Sequence, residues 1–236
     1  MNERTEPKKR RMSTHARVML RGAEDDTFAE RERADHYAYY DSSEQNFDAF
    51  FAEVLLPYKS IREYTEAHYG EKKGKMVAVE FGGPARKLFA GMADEGLLGR
   101  SAGFVLHDAR SDDEKTQDLA RHHSVIEADV FFKKGAAELS WRTVEEWVRR
   151  NGKPDIAIER MVQGVDLIRR ADLYVAIVKR WLSQLAERGT LLAEIPLMMP
   201  LEERNKVAQL LQDDSLQSEE VVFSKDKTRF LFRRAV

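Results

Sequence analysis

Residues 77–88 read VAVEFGGPARKL and predict a strand that passes through a tight glycine turn into a helix. The apolar start ends on an acid, Glu80, and Gly82 and Gly83 follow it after one residue. Glycine takes positive φ without a steric penalty and lets a ligand lie against bare backbone. Pro84 suits the first position of a helix, where its missing N–H costs nothing. In a parallel α/β sheet such a turn lies at the carboxyl end of the strand, where nucleotide-like ligands bind.

Three kinds of glycine turn bind ligands of this class, and the sequence excludes two of them. A phosphate-binding P-loop requires G-x-x-x-x-G-K-[ST], which does not occur in the chain. A dinucleotide fingerprint requires G-x-G-x-x-G, but Pro84 and Lys87 stand where its second and third glycines belong. The remaining pattern is acid-x-G-x-G, and residues 80–84 match it except that Pro84 replaces the last glycine.

This segment resembles motif I of the class I S-adenosylmethionine-dependent methyltransferases. In that family the acid and the glycine backbone hold the methionine part of the cofactor. The resemblance implies that S-adenosylmethionine is bound by Glu80, Phe81, Gly82, Gly83 and Pro84. The alternative is a plain strand, turn and helix that bind no ligand.

Acids also follow two further predicted strands. Residues 102–107 predict the second strand, and Asp108 follows it at the place where nucleoside-binding α/β folds bind the ribose hydroxyls. Residues 124–128 predict the third strand, followed by Asp129 and Val130. The resemblance implies that Asp129 accepts from the adenine amine while the amide of Val130 faces the ring. An acid that only caps a loop is the alternative for Asp129.

The second half of the chain predicts how the sheet ends. Residues 154–158 and 190–195 predict the fourth and fifth strands, and the short runs 220–224 and 228–232 predict a hairpin. A plain doubly wound sheet would continue as strand, helix and strand. The class I methyltransferase sheet instead ends in a hairpin that places one antiparallel strand among parallel ones, so the resemblance extends over residues 75–236.

We therefore predict an α/β fold with a doubly wound, mostly parallel seven-stranded sheet and a C-terminal antiparallel hairpin, preceded by an N-terminal helical extension. The predicted domains are a flexible charged tail over residues 1–26, a helical cap over 27–73 and a Rossmann-like methyltransferase domain over 74–236. Apolar side chains at helical spacing over residues 47–55 predict an amphipathic helix within the cap.

Candidate catalytic residues follow from the same resemblance. The fourth strand ends at Glu159 and Arg160, the position from which many methyltransferases reach their substrate. The signatures N-P-P-Y and D-P-P-Y do not occur there, which argues against methylation of adenine N6 or of glutamine. An ordinary charge pair is the alternative for these two residues. The candidates for a catalytic role are Glu159, Arg160, His107, Tyr37 and Tyr40.

The composition is typical of a globular chain with a heavily charged surface, since 42% of its 236 residues are hydrophobic and 34% are charged. The absence of cysteine excludes disulfides, thiolate metal sites and a cysteine nucleophile. The adjacent His122 and His123 point to opposite faces of an extended segment, and the six histidines show no spacing of metal ligands. We therefore predict no metal site.

The predicted partners follow from charge and hydropathy. A net charge of −2 creates no overall field towards nucleic acid or a membrane. We expect a small-molecule substrate and no membrane partner. The basic run from Lys8 to Arg11 leaves nucleic acid as a less favoured partner, and the apolar face over residues 47–55 leaves a homodimer open. Neither a secretory signal nor a membrane-spanning stretch is visible, so we expect a cytoplasmic protein.

The sequence thus predicts an S-adenosylmethionine-dependent methyltransferase that transfers a methyl group to an unidentified acceptor, with a small molecule favoured over protein or RNA. One alternative is a catalytically silent relative that acts as a binding or scaffold module, because Pro84 departs from motif I. Another is a nucleotide-dependent enzyme of the NAD type, against which the broken dinucleotide fingerprint argues.

Overall fold

The computed structural model of the protein describes residues 43–105, 108, 110–128, 136–159 and 168–236. The predicted charged tail, with its basic run, and the first part of the predicted helical cap lie outside the described residues. The domain boundaries therefore stay a prediction.

Seven strands form one sheet. They are β1 (Met76–Phe81), β2 (Leu98–Val105), β3 (His123–Glu127), β4 (Ile156–Glu159), β5 (Thr190–Glu194), β6 (Ser218–Phe223) and β7 (Arg229–Arg234). The spatial order is β3-β2-β1-β4-β5-β7-β6, in which β1 to β5 run parallel and β7 is antiparallel to both of its neighbours, β5 and β6. This order confirms the predicted mixed sheet with a C-terminal hairpin, which is the fold of the class I methyltransferases.

Seven α-helices flank the sheet in the described part of the chain. They are α1 (Glu44–Phe51), α2 (Ile61–Tyr69), α3 (Arg86–Asp94), α4 (Asp112–Ala120), α5 (Ala136–Asn151), α6 (Ala171–Gln184) and α7 (Leu201–Leu211). Side chains along a strand alternate between the two faces of the sheet. Helices α1 to α3 share a core with one face, and α5 to α7 share a core with the other. Within the described ranges, no helix has both the length and the apolar character needed to cross a membrane.

The predicted amphipathic helix of the cap belongs to the core of the sheet. Phe47 and Phe51 of α1 are fully buried and pack in one core with Met76 of β1. The helix ends at Phe51, earlier than predicted, and the following turn still buries Val54 and Leu55. A buried turn can present the same spacing of apolar side chains as one more turn of helix, which is why the pattern overestimated the length of α1.

An aromatic cluster fills the core on the opposite face. The ring of Phe81 lies 5.8 Å from Trp181, 5.9 Å from Phe104 and 6.1 Å from Trp141, measured between ring centroids. All four side chains are buried, and offset aromatic pairs at these distances add to the stability that comes from burial alone. Phe81 therefore presents only its backbone to the carboxyl edge of the sheet, while its side chain packs in the aromatic cluster and holds the end of β1 in place.

Two element boundaries near the glycine turn differ from the prediction. Pro84 does not begin the helix, because Ala85 follows it with φ 53° and α3 starts at Arg86. Strand β2 begins at Leu98, before the predicted range, because its first residues pair with the start of β1. Pairing between strands recruits residues whose own side chains give no strand signal, so the sequence underestimated this strand.

Candidate cofactor site

The glycine turn after β1 is built around the carboxylate of Glu80. This side chain is buried at the end of β1, and a Cβ on Gly83 would lie closer than 3.0 Å to both of its oxygens. The backbone of Gly82 has φ 97°, and its N–H donates to the carbonyl of Phe104 at 2.9 Å. Gly82 is required for its positive φ, and Gly83 is required because a side chain there would clash with the Glu80 carboxylate, so the two glycines serve separate purposes.

A third glycine, Gly103 on β2, lies directly against the backbone of the turn. It pairs with Glu80 in the β1–β2 ladder, and a Cβ there would lie closer than 3.0 Å to the backbone of both Gly83 and Pro84. The turn therefore rests on bare β2 backbone. An isolated glycine within a strand signals such a close approach, and that signal was present in the sequence but not used.

The buried His123 of β3 is hydrogen-bonded to the same turn. Its Nε2 lies 2.8 Å from the carbonyl oxygen of Pro84, and its Nδ1 lies 2.7 Å from the hydroxyl oxygen of Ser101. A carbonyl oxygen only accepts, so Nε2 carries the proton and donates, while Nδ1 accepts from the Ser101 hydroxyl. Burial lowers the pKa of His123 to about 4 and keeps the ring neutral at physiological pH. The glycine turn is thus hydrogen-bonded to two neighbouring strands, to β2 through Phe104 and to β3 through His123.

We expect His123→Gln to make the free energy of unfolding less sensitive to acid. The folded protein protonates His123 only near its pKa of about 4, whereas an unfolded chain takes up this proton at about pH 6.5. Between these values the unfolded state binds more protons. The stabilisation from the neutral ring is therefore complete above about pH 6.5 and falls as the pH is lowered, by about 2 kcal/mol at pH 5.

Denaturant unfolding of the wild type and His123→Gln at pH 7 and pH 5 measures this difference. His122→Asn serves as the control at the adjacent position, because His122 has φ 53° and asparagine tolerates that conformation. An equal loss of stability at pH 5 in the wild type and in His123→Gln would contradict the assignment of the neutral ring.

The acid predicted to bind the ribose, Asp108, is held by one arginine. Its Oδ1 accepts from the backbone N–H of Arg110 at 3.1 Å and from Arg110 Nε at 2.9 Å, and its Oδ2 accepts from Arg110 Nη2 at 2.8 Å. These bonds lower the pKa of Asp108, so the carboxylate is charged at neutral pH. The backbone N–H of Asp108 donates to Glu127 at the end of β3, at 3.0 Å.

A buried carboxylate links this arginine to the helix after the glycine turn. Asp118 of α4 accepts from Arg110 Nη1 at 2.8 Å and from Arg86 Nε at 2.7 Å, both at its Oδ2. Its side chain is 3% exposed, and the two arginines are about as well covered, at 9% and 10%. Arg86 Nη1 also donates to Glu114, at 2.5 Å. One chain of charges therefore joins the start of α3 to Asp108, so the two halves of the predicted cofactor site are not independent.

The ends of β4 and β5 carry two more buried acids, Glu159 and Glu194. The backbone N–H of Glu194 donates to Oε2 of Glu159 at 3.3 Å and joins the two strand ends. The hydroxyl of Tyr174 donates to the carbonyl oxygen of Glu194 at 2.6 Å. Burial, with the two glutamates nearby, raises the pKa of Tyr174 well above its usual value, so this phenol stays protonated at neutral pH.

The structure places the predicted site residues that it describes at one edge of the sheet. At the carboxyl ends of β1, β2 and β4 lie Glu80, Phe81, Gly82, Gly83, Pro84, Asp108 and Glu159. Outside the described residues lie Asp129, Val130, His107, Arg160, Tyr37 and Tyr40. The binding and catalytic roles of both groups stay predictions. Among the residues whose positions are described, no three His, Asp or Glu side chains are grouped so as to hold a metal ion.

Solved structures with a similar fold include methyltransferases in complex with SAH. The MycE methyltransferase from the mycinamycin biosynthetic pathway, in complex with Mg and SAH, is 10% identical and superposes with a TM-score of 0.52 over 83% of this chain and 56% of that chain. MycE in complex with Mg, SAH and mycinamycin VI is 11% identical, with a TM-score of 0.50 over 83% of this chain and 54% of that chain. At this identity the likeness establishes the fold alone.

This chain spans little more than half of the MycE chains that it resembles. No protein-family model matches its sequence, and no curated protein sequence matches it either. The assignment of the chain to the fold of the class I S-adenosylmethionine-dependent methyltransferases therefore rests on the structure and not on a sequence match.

Proposed function

We propose that the protein binds S-adenosylmethionine across the carboxyl ends of β1 and β2 and transfers the methyl group to an acceptor, with a small molecule favoured and a cytoplasmic location expected. The observation that carries the proposal is the turn in which the Glu80 carboxylate packs against Gly83. A turn with this shape offers bare backbone at the end of a central strand, next to a buried carboxyl group, where class I methyltransferases hold the methionine part of the cofactor.

The residues present fit such a ligand. The bare backbone of Gly82 and Gly83 leaves room for the methionine part, and Asp108 is suited to a ribose hydroxyl. Asp108 accepts three hydrogen bonds from Arg110, whereas an ionised carboxylate offers about four acceptor positions. Its side chain is 19% exposed, so the remaining position is accessible to a hydroxyl group.

In such a reaction the protein mainly aligns the cofactor and the acceptor, and the cofactor itself supplies the reactive group. S-adenosylmethionine supplies an electrophilic methyl group on its sulfonium. The rigid strand ends would hold the reacting groups in line, which lowers the entropic part of the barrier. Glu159 is the candidate base for the acceptor's proton within the described residues, and it lies buried at the end of β4, beside β1.

Thermal unfolding with and without S-adenosylmethionine or S-adenosylhomocysteine tests the proposal, with NAD as the control ligand. At a hundredfold excess over Kd, a ligand of the folded state adds about 2.7 kcal/mol, which raises Tm by roughly 5–10 °C in a chain of this length. We expect this shift with the adenosyl ligands and none with NAD.

A matched pair of variants places the ligand at the turn. Gly83→Ala displaces the Glu80 carboxylate and is expected to abolish the shift, whereas Gly70→Ala has no atom within 4 Å of the new methyl group and is expected to retain it. No shift with millimolar adenosyl ligands would contradict an active methyltransferase and favour a silent binding module. An equal shift with NAD would favour the dinucleotide alternative.

A further inference from the structure

The carboxylate of Asp108 has little freedom of orientation. Three N–H groups of Arg110 donate to the Asp108 carboxylate, two to Oδ1 and one to Oδ2. A guanidinium that binds both oxygens of a carboxylate also fixes the plane of that carboxylate. The acceptor position that is left therefore lies on Oδ2 and has a fixed direction.

Arg110 is itself held by two acceptors other than Asp108. Its Nη1 donates to the buried Asp118 at 2.8 Å, and its Nη2 donates to the carbonyl oxygen of Val125 at 3.3 Å. Only 10% of its side chain is exposed. An arginine in this position does not reach into solvent to meet a ligand, so its effect on ligand binding is indirect, either through Asp108 or through Asp118 and Arg86.

We propose that Arg110 is a positioning residue for ribose recognition, an inference that rests on the proposed function. Arg110 orients Asp108 so that the remaining acceptor position on Oδ2 receives one hydroxyl of the ribose, and Asp118 keeps Arg110 in place. An ion pair that only stabilises the fold is the competing explanation. It predicts weaker binding of every adenosyl ligand by the same factor.

The test compares S-adenosylhomocysteine with its 2′-deoxy and 3′-deoxy analogues by titration calorimetry. The contact of Asp108 with one hydroxyl is expected to make one analogue bind about tenfold more weakly than the parent compound in the wild type. We call the Kd of the weaker analogue divided by the Kd of the parent compound the hydroxyl ratio. In Arg110→Gln the affinity for the parent compound falls while the affinity for the weaker analogue changes little, so the hydroxyl ratio approaches one. Arg110→Lys keeps the positive charge but loses the two-donor contact of the guanidinium, so its hydroxyl ratio is expected to lie between those of the wild type and Arg110→Gln.

Arg121→Gln is the matched control. Arg121 follows α4, and its side chain binds Asp94 through two donors, at 2.8 and 2.9 Å, and donates no hydrogen bond to the side chain of Asp108 or Asp118. This variant should retain the wild-type ratio. Asp118→Asn, which leaves Asp108 and Arg110 unaltered, should lower the ratio in the same direction as Arg110→Gln.

Two results overturn the inference in distinguishable ways. If the wild type binds the parent compound and the ratio is the same in Arg110→Gln, Arg110 has no positioning role while the proposed function stands. If the wild type binds none of the three compounds, the proposed function fails and the inference fails with it. Thermal unfolding of each variant without ligand confirms that the comparison is made between folded proteins.

Discussion

Gly103→Ala is expected to lower the free energy of unfolding by about 3 kcal/mol, at the upper end of the cost of overpacking a core. The added methyl group would lie closer than 3.0 Å to the backbone of Gly83 and Pro84. A backbone contact cannot be relieved by a change of rotamer, and Gly103 is itself fixed by its pairing with Glu80. The turn must therefore lift away from β2, which also breaks the hydrogen bond from His123 to Pro84.

Denaturant unfolding measures the loss, and Gly70→Ala provides the control. Gly70 has φ −54° and open space around it, so alanine there should leave the stability unchanged or raise it by about 0.5 kcal/mol. We also expect Gly103→Ala to lose the thermal shift with S-adenosylhomocysteine. A variant with wild-type stability and a wild-type shift would show that the turn does not depend on β2.

Asp118→Ala is expected to cost about 3–5 kcal/mol, because removing one partner of a buried ion pair leaves the other charge without compensation. Asp118 accepts from both Arg86 and Arg110, and all three side chains are at most 10% exposed. After the substitution two guanidinium groups face each other across a small cavity. Arg86 retains Glu114 and Arg110 retains Asp108, so the loss should fall short of complete unfolding.

Asp94→Ala is the control for burial. Asp94 forms a comparable two-donor pair with Arg121, but its side chain is 55% exposed. Exposed ion pairs contribute little to stability because water screens them, so this variant should be nearly neutral. Equal losses for Asp94→Ala and Asp118→Ala in denaturant unfolding would contradict the assignment of the buried pair as the stabilising one.

The succession of strands along the chain could be predicted from the sequence because it depends on local signals. An apolar run followed by an acid recurs along the first half of the chain, and the short loop at residues 225–227 marks the hairpin. Glu80 and Asp108 were found in this way, since each follows from its place at the end of a strand.

The support of the site could not be predicted because it depends on contacts between distant parts of the chain. Arg86 and Arg110 meet on Asp118, which as a sequence is one more charged residue on a charged helix. His123 was considered only as a metal ligand, and its bond to Pro84 joins residues that are far apart in sequence. Gly103 is the exception, because a lone glycine in a strand was a local sign of the contact that the structure shows.

The position of β7 bears on how the protein forms during synthesis. It is the last of the seven strands along the chain, yet it pairs on one side with β5 and on the other with β6. A ribosome delivers β6 before β7, and in the finished sheet β6 pairs with β7 and not with β5. Until β7 follows it, the nascent chain carries an open edge on β5, the kind of edge that invites aggregation. Completion of the sheet therefore waits for β7, and a message cut short before residue 229 would leave an open edge on β5 and leave β6 without its partner strand.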